Sequence, residues 1–374
     1  MQIAGNNVDN ANFLTSLYLG LMNRQPDEAG FKYYLDQLDK GYLTKHELGL
    51  LFVRSQEFAN ANRRPEQLGE FVNASDSRLF EGYDKSELSL FTHFDTSEVK
   101  PATGFLTEWI GSRVRLSSLW RSAIFDGVDA SVRPIPIPSD YHADCIEWIG
   151  TLKSVLAAKG SFSVMEVGAG HGPWLAASCA AARNRGIRDI AVCGVEADPG
   201  RFELLRQNMT DNYLFGKEIQ LFQAAVGPEQ GRARWPRISQ PAEDSGARIL
   251  REGDKKDTEY LSIASRFEDF IDVEIIPFAP LLNSRERWDL VHIDVQGIEV
   301  DLCNHSIEDL TKRARYVVIG THARWIDGDL LKIFFGAGWR LENEKPAKYF
   351  NKVYSELNCD VCADGTQVWR NLKL

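Results

Sequence analysis

The feature that most constrains the fold is an apolar strand that runs directly into a glycine turn. Residues 164–172 read VMEVGAGHG, with the acidic Glu166 inside the strand and a GxGxG pattern after it. Such glycines let the backbone approach a ligand closely, and the next helix offers free N–H donors at its N-terminus. A dinucleotide site would instead have GxGxxG, and His171 and Gly172 break that spacing. The turn therefore predicts a cofactor that presents an ammonium group to Glu166 rather than a diphosphate.

Strand and helix patterns alternate after this point, which is typical of a mostly parallel sheet with helices on both faces. Apolar runs predict strands at 162–167, 190–195, 220–225, 290–294 and 316–321. Helical spacing predicts helices at 142–159, 173–185, 199–208, 299 onward and 328–335. Segments 339–342 and 367–371 are expected to close the sheet as an antiparallel hairpin. The predicted fold class is α/β with a mostly parallel sheet.

Acidic residues end two further strands. Glu196 follows the second strand at about the spacing at which an acid holds ribose hydroxyls, and its carboxylate can accept a hydrogen bond from each. Asp198 precedes Pro199, a pattern typical of a helix N-cap and first residue, so we assign Asp198 to structure. Asp294 ends the fourth strand, and a glycine turn then leads to Glu299. Because ligands bind at the carboxyl ends of parallel strands, Glu196 and Asp294 are candidate binding residues.

A polar stretch from 227 to 259 is rich in glycine and proline, and its length predicts a functional lid or a disordered insertion. It contains Arg232, Arg234, Trp235 and Arg237. These residues either bind a sugar or a phosphate carrier, or they form a solvated basic stretch.

Four segments occur in order: the glycine turn, the second strand with its acid, AAVG at 224–227 and WDLVHIDVQGIE at 288–299. Together they resemble the FkbM-type methyltransferase family over about residues 102–374. The resemblance implies a Rossmann-like methyltransferase with a seven-stranded sheet, S-adenosylmethionine as cofactor and O-methyl transfer, often to sugar hydroxyls. The family's turn commonly reads aspartate-valine-glutamate-glycine, whereas this chain has Gln296 in place of the glutamate. The predicted cofactor-binding residues are Glu166, Gly168, Ala169, Gly170, His171, Gly172, Glu196, Ala197, Ala225 and Asp294.

Methyl transfer to a hydroxyl requires in-line alignment and removal of the hydroxyl proton. His322 follows the fifth strand and is predicted to lie beside Asp294, where a histidine near its ordinary pKa of about 6.5 accepts that proton. The predicted catalytic residues are His322, Asp294 and Glu299. His292 lies within a strand and is predicted to be a hydrogen-bonded core residue. His142 either starts a helix or borders the pocket.

Three alternatives remain open. Asp294, Glu299 and His322 can also ligate a divalent metal that holds neighbouring hydroxyls, although their spacing fixes no coordination geometry and metal is not favoured. A non-catalytic glycan-binding or scaffold protein on the same fold is kept open by Gln296. A nicotinamide-dependent oxidoreductase is disfavoured by the glycine spacing.

The N-terminal part has a different pattern. Apolar residues recur at helical spacing over residues 11–57, with Pro26 suited to a helix start and Thr44 to an N-cap. Segments 18–30 and 55–58 resemble a bacterial domain-of-unknown-function family that is itself similar to phycobilisome linker repeats. The resemblance implies docking to a protein partner, and a packing appendage is the alternative. The predicted domains are a helical module at 1–62, a linker at 63–102 and the catalytic domain at 103–374.

The net charge narrows the classes of binding partner, and the cysteine pattern indicates the state of the thiols. The net charge of -10 gives no reason to expect nucleic acid, and a saccharide or glycan acceptor is easier to reconcile with it. No basic leader and no membrane-length apolar run is apparent, so we expect a cytoplasmic protein. Cys359 and Cys362 form one CxxC, and they are expected to be unbound thiols because zinc requires two more ligands. Reduced core thiols are expected at Cys145, Cys179, Cys193 and Cys303.

Overall fold

A computed structural model describes residues 4–21, 25–53, 55, 81–119, 128–139, 143–242, 270–349 and 361–374. The chain divides into two compact units. The smaller unit comprises Met1–Ser75 and Pro136–Ala143, and the larger comprises Asp76–Ile135 and Asp144–Leu374. His142, Cys359 and the side chain of Cys362 lie outside what the structure describes.

The described part of the smaller unit contains three helices: α1 (Ala4–Leu21), α2 (Glu28–Asp39) and α3 (Lys45–Val53). Their apolar faces meet in a small core, where the rings of Tyr18 and Phe52 lie 4.8 Å apart. The predicted cap at Thr44 is confirmed, because the Glu47 N–H donates to Thr44 Oγ1 over 3.1 Å. Pro26 does not start α2, since Asp27 is the N-cap and accepts from the Gly30 N–H.

The larger unit is built on a seven-stranded sheet with the strand order β11-β14-β10-β9-β3-β4-β5 among its described residues. Neighbouring strands from β10 to β5 are parallel, and β14 is antiparallel to both of its neighbours. The strand order reverses between β3 and β9, and in open α/β sheets ligands bind at the carboxyl ends of the strands at such a reversal. The strands are β3 (Ser161–Val167), β4 (Asp189–Glu196), β5 (Ile219–Gln223), β9 (Trp288–Ile293), β10 (Ala314–Thr321), β11 (Arg340–Lys345) and β14 (Gly365–Arg370).

Helices cover both faces of this sheet, as the alternating pattern predicts. Alternate strand residues such as Met165, Val291 and Val317 are buried in one core with residues of α7, α8 and α9, while α4, α5 and α6 pack on the sheet from the opposite side. The helices are α4 (Cys145–Ala157), α5 (Pro173–Asn184), α6 (Pro199–Asp211), α7 (Phe278–Asn283), α8 (Glu299–Arg313) and α9 (Arg324–Gly336).

Smaller sheets complete the unit. Strands β1 (Phe105–Thr107) and β2 (Arg113–Arg115) pair with each other, as do β12 (Lys348–Tyr349) and β13 (Val361–Ala363). A three-stranded sheet has the order β6-β8-β7. Its strands are β6 (Ala225–Gly227), β7 (Gly231–Pro236) and β8 (Phe270–Pro277).

The structure corrects the prediction for the stretch after 227. Residues 231–236 form the strand β7, which pairs antiparallel with β8, so this part is not an irregular loop. The strand was missed because a proline and a glycine bound a run whose arginines resemble a polar loop. Residues 243–269 lie outside the described residues, so only residues 227–242 of the predicted lid are described.

The described part of the predicted linker also differs from expectation. A short 3₁₀ helix at Lys85–His93 buries Leu88 and Phe91, and the Phe91 ring lies 5.1 Å from Trp109. Rings then follow in contact from Trp109 to Trp148 and from Trp148 to Trp174. Residues 81–102 therefore pack on the larger unit, because their aromatic side chains are part of its core.

Cys145, Cys179, Cys193 and Cys303 are buried, as expected for core thiols. Burial raises the pKa of the Cys179 and Cys193 thiols to about 12. Among the described residues, no helix combines the length and the apolar character needed to cross a bilayer.

Candidate active site

The glycine turn lies against the end of the neighbouring strand. The N–H groups of Gly168 and Ala169 both donate to the Val195 carbonyl over 3.0 Å, and the Asp294 N–H donates to the Val167 carbonyl over 3.0 Å. Gly168 has a φ of +74°, and a Cβ on it would overlap the Asp294 carbonyl oxygen. Only glycine fits both conditions, so the turn and the end of β9 are held back to back.

Glu196 joins the glycine turn to the end of β4. Its Oε2 accepts the Gly170 N–H and its Oε1 accepts the Asp198 N–H, each over 2.7 Å. Burial raises the pKa of this carboxyl to about 7, although the two N–H groups and Arg201 act in the opposite direction. Asp198 accepts the Arg201 N–H over 2.8 Å and caps α6, so its predicted structural role is confirmed.

The remaining cofactor candidates lie in β3, in the glycine turn and after β4 and β5. Ala197 and Ala225 are buried together with Trp235 in one small cluster. Glu166 is 2% exposed, and its Oε2 accepts the Leu175 N–H over 3.1 Å in the first turn of α5. The His171 carbonyl accepts from the Asn208 side chain over 2.8 Å. One oxygen of Glu166 thus holds the helix that follows the turn.

The three predicted catalytic residues lie together beyond the ends of β9 and β10. His322 Nδ1 lies 2.7 Å from Glu299 Oε1, and its Nε2 lies 3.1 Å from Asp294 Oδ1. Gln296 Nε2 lies 3.0 Å from Asp294 Oδ1 and 2.8 Å from His322 Nε2. We name these four residues the His322 cluster. Because the Asp294 backbone contacts Gly168, the cluster directly adjoins the glycine turn.

Accessibility differs within the His322 cluster. The Glu299 side chain has no exposed surface and that of His322 is 15% exposed, whereas the Asp294 side chain is 42% accessible. Asp294 is therefore the carboxylate of this cluster that is open to a ligand. His322 Nε2 lies next to the Asp294 carboxylate, whereas Nδ1 lies next to the buried Glu299 carboxylate.

The charges of the cluster correct one assumption of the sequence analysis. Burial alone would lower the pKa of His322, but Glu299 and Asp294 outweigh it and raise that pKa well above 6.5. Burial likewise opposes ionisation of Asp294, but His322, His292 and Gln296 together lower its pKa. His322 therefore does not titrate near its ordinary pKa, because two carboxylates face its ring.

His292 is buried as predicted, but its two ring nitrogens have no hydrogen-bond partner within 3.5 Å among the described residues. The ring stacks on Trp174 with 5.4 Å between ring centroids, and Nε2 lies 3.6 Å from Glu147 Oε1. Burial lowers the pKa of His292, yet Glu147, Glu166 and Asp294 outweigh this effect and raise it. The predicted hydrogen-bonded core histidine is thus a core histidine held by stacking and charge.

Two residues near the site were not singled out from the sequence. Glu147 of α4 accepts the Asp144 N–H and faces His292. Asp364 directly precedes β14, where Gly365 pairs with Thr321 beside His322. Desolvation by the surrounding protein raises the pKa of Asp364. The charge of His322 lowers this pKa, and the charge of Asp294 raises it further. The sequence signal that could have identified Asp364 is its position at the boundary of the closing hairpin.

The basic residues after 227 are not in the His322 cluster. Arg234 of β7 lies 4.6 Å from the centre of the Phe270 ring, and Trp235 is buried. Within the described residues, no set of three or more His, Cys, Asp or Glu side chains is arranged to hold a metal ion.

The strand order and the glycine turn after the first central strand define a Rossmann-like methyltransferase fold. Solved structures with similar folds include a precorrin-6Y C5,15-methyltransferase from Geobacter metallireducens GS-15, with 12% identity, coverage of 61% of this chain and 88% of that chain, and a TM-score of 0.34. A ribosomal protein L11 methylase from Lactobacillus delbrueckii subsp. bulgaricus has 11% identity, coverage of 65% and 86%, and a TM-score of 0.30.

Family comparison is more specific. The methyltransferase FkbM domain model matches residues 166–352, and the model of DUF4214, a domain of unknown function, matches residues 2–62. A protein of Jannaschia sp. (strain CCS1) named "Putative methyltransferase" is 30% identical over 268 residues, which are 72% of this chain and 92% of that protein. The chain belongs to the FkbM methyltransferase family. The match begins at Glu166, later than the expected limit near residue 102, and the similarity to phycobilisome linkers stays a prediction.

Proposed function

We propose that this methyltransferase uses S-adenosylmethionine and methylates a hydroxyl group of a saccharide or glycan. The observation that carries the proposal is the His322 cluster, which puts an accessible carboxylate and a histidine next to the glycine turn. This arrangement supplies an acceptor-binding group and a proton acceptor beside the predicted cofactor site. Hydroxyl groups are natural ligands for such carboxylates, because a carboxylate oxygen accepts two hydrogen bonds.

The residues around the glycine turn fit the cofactor. Each Glu196 oxygen accepts one backbone N–H and keeps a further lone pair, so the carboxylate can accept the two ribose hydroxyls. There is open space over Gly170. Among the described residues, the one atom within 4 Å of a Cβ at this position would be Arg201 Nη1, at 3.8 Å. Ala197 and Ala225 are small and buried beside Glu196, which suits a flat purine. When bound, the cofactor supplies an electrophilic methyl group on a sulfonium.

The His322 cluster then accounts for the proton. Asp294 accepts a hydrogen bond from the acceptor and orients its reacting hydroxyl toward the methyl group that the cofactor would supply. On transfer of that methyl group, which would leave a neutral thioether, the hydroxyl proton would pass to His322 Nε2. Glu299 holds the proton on Nδ1 and stabilises the imidazolium that forms.

Calorimetry with S-adenosylmethionine and with NAD tests the cofactor. We expect the protein to bind S-adenosylmethionine and not NAD, and binding of NAD alone would support the oxidoreductase alternative.

Transfer of a labelled methyl group from the cofactor to a panel of saccharides tests the reaction. A protein that binds the cofactor but methylates no acceptor in such a panel would support the non-catalytic alternative.

His322→Ala tests the proton acceptor. Turnover should fall by about a hundredfold or more, with little effect on cofactor affinity, since Nε2 is the atom that takes the proton. His305→Ala, an exposed position on α8, is the matched control and should keep normal turnover. Because the base must be neutral and its pKa is raised, wild-type turnover should increase with pH through a value above 6.5. Near-normal turnover of His322→Ala would rule out this residue as the base.

A further inference from the structure

The three-stranded sheet β6-β8-β7 has one apolar face. In β7, Ala233 and Trp235 alternate with two exposed arginines, and each of them pairs with an apolar residue of β8. Because successive side chains of a strand point to opposite faces, the apolar residues of neighbouring strands share one face and the arginines lie on the other. The apolar face consists of Ala225, Ala233, Trp235, Ile271, Val273 and Ile275.

This apolar face lies against the carboxyl ends of β4 and β5. Trp235 is buried in one cluster with Ala197, the residue after β4, and with Ala225, which lies two residues beyond β5. The two strand ends are themselves joined, because the Ala224 N–H donates to the Glu196 carbonyl over 3.0 Å. Trp235 therefore packs beside the residues that follow the proposed ribose ligand.

The chain beyond β7 returns to the same end of the main sheet. Pro241 packs on Gly200, the second residue of α6, so closely that a Cβ on Gly200 would be 2.2 Å from Pro241 Cγ. Gly200 is four residues beyond Glu196. Both β7 and the residues that follow it thus border the region in which the adenosyl part of a cofactor is expected.

The indole N–H of Trp235 is a buried donor without an acceptor. The side chain is 8% exposed, and its Nε1 has no hydrogen-bond partner within 3.5 Å among the described residues. Buried tryptophans usually pair this N–H, because an unpaired buried donor costs free energy. The neighbours in the cluster are alanine and valine side chains, which offer no acceptor. An unpaired buried group of this kind in a native structure requires an explanation.

We propose that Trp235 is a specificity-determining residue that recognises the adenine base of S-adenosylmethionine, with its N–H donating to a ring nitrogen of the base. The inference rests on the proposed function, because it requires an adenosyl cofactor. Adenine carries ring nitrogens with lone pairs at positions 1, 3 and 7. The base would take the place of the apolar atoms that cover Nε1, between the apolar face of the three-stranded sheet and the small side chains of Ala197 and Ala225.

The state of the N–H in the protein without cofactor makes this bond measurable. Water is already excluded from Nε1, so a bond to the base is not exchanged for a bond to water. Binding would instead pair a donor that is unpaired before. Loss of the N–H should consequently weaken the complex and leave the stability of the free protein largely unchanged.

Trp235→Phe keeps a flat apolar ring and removes the N–H. In calorimetry with the full-length chain, its affinity for S-adenosylmethionine should be about tenfold lower than that of the wild type. Trp339→Phe is the matched control, because Trp339 is 3% exposed and its N–H donates to Thr311 Oγ1 over 2.9 Å, near the start of β10 rather than its carboxyl end. The control should lower the melting temperature of the free protein more than Trp235→Phe does and leave the affinity unchanged.

Deaza analogues of S-adenosylhomocysteine, in which carbon replaces ring nitrogen 1, 3 or 7, identify the acceptor atom. One of the three should bind to the wild type about tenfold more weakly than S-adenosylhomocysteine itself, and this difference should disappear in Trp235→Phe. Equal differences in both proteins, or wild-type affinity of Trp235→Phe for S-adenosylmethionine, would overturn the inference. If Trp235→Phe does not fold, the wild type decides, since three analogues that all bind like the parent compound would exclude a ring nitrogen as acceptor.

The two proposals fail in different ways. A wild-type protein that binds neither S-adenosylmethionine nor S-adenosylhomocysteine would contradict the proposed function and the inference with it. A wild type that binds both, together with a Trp235→Phe variant of equal affinity, would contradict only the role of Trp235.

Discussion

Gly168 shows how one residue fixes the geometry of the site. Its φ is +74°, and a Cβ would overlap the carbonyl oxygen of Asp294, so Gly168→Ala should cost more than about 4 kcal/mol of unfolding free energy or prevent folding. Gly297→Ala is the matched control, because Gly297 also has a positive φ, +100°, but a Cβ there would meet no heavy atom of the described residues within 4 Å. It should cost about 1–2 kcal/mol. Urea unfolding of both variants measures the difference, and equal losses would contradict the close contact.

We expect Glu196 to make the binding of S-adenosylmethionine depend on pH. Its pKa in the folded protein is about 7, and ribose hydroxyls donate to the ionised form, so affinity for S-adenosylmethionine should rise about tenfold from pH 6 to pH 8. Glu196→Gln does not titrate and should bind at least about 2 kcal/mol more weakly at pH 8, with a flat profile. Calorimetry at the two pH values measures both effects. A wild-type affinity that is independent of pH would place the ribose elsewhere.

Glu196 should also affect the free energy of unfolding of the protein without bound cofactor. Because burial raises the pKa of Glu196 above its unfolded value of 4.5, the folded state holds the proton more tightly, and stability falls as the pH rises from 4.5 through about 7. Bound cofactor should offset this loss by stabilising the carboxylate.

Sequence patterns predict which residues belong to the candidate site but not their protonation states. Asp294, Glu299 and Glu196 are predicted because each lies at a strand end or in the turn after it, and strand ends follow from apolar periodicity. The raised pKa of His322 was not predictable, because it depends on two carboxylates that only the folded chain brings within 3.1 Å. Asp364 was missed for the same reason, since its relation to His322 is set by the pairing of β14 with β10.

At the scale of elements, His292 joins β9 to the helices α4 and α5. Its ring stacks on Trp174 and lies beside Glu147, so His292→Ala should cost roughly 3 kcal/mol of unfolding free energy with little direct effect on turnover. His305→Ala on the exposed face of α8 should cost little. Because the folded-state pKa of His292 is raised, its charge contributes fully below the unfolded value of 6.5 and is lost as the pH rises through the folded value. The loss measured by denaturant unfolding should therefore be larger at pH 6 than at pH 9, and an equal loss would exclude the ionic contribution.

Elements were predictable where burial produces a clear period. The central strands occur within a few residues of their predicted bounds, because strands buried on both faces are continuously apolar. The closing strands β11 and β14 also lie within a few residues of their predicted bounds, although β11 is polar. Strands β7 and β8 were not predicted, since half-exposed strands with arginine, aspartate and glutamate lack that signal.

At the scale of the whole molecule, the residues predicted to bind cofactor all belong to the larger unit. A chain that lacks residues up to Asn60 should therefore remain soluble and bind S-adenosylmethionine with unchanged affinity. Calorimetry and a thermal melt of the shortened and full-length chains provide the comparison. Insoluble protein, or binding only by the full-length chain, would contradict an accessory role for the DUF4214 module.

The position of β14 has a consequence for synthesis of the chain. β14 is made after both of its neighbours but lies between them in the sheet, paired on one side with β10 and on the other with β11. Until the ribosome has released it, both neighbours have an open edge, and unpaired edges are where strands of different copies associate. A premature stop before Gly365 would thus remove β14 and leave two open edges in the middle of the domain, which favours aggregation over a stable truncated enzyme.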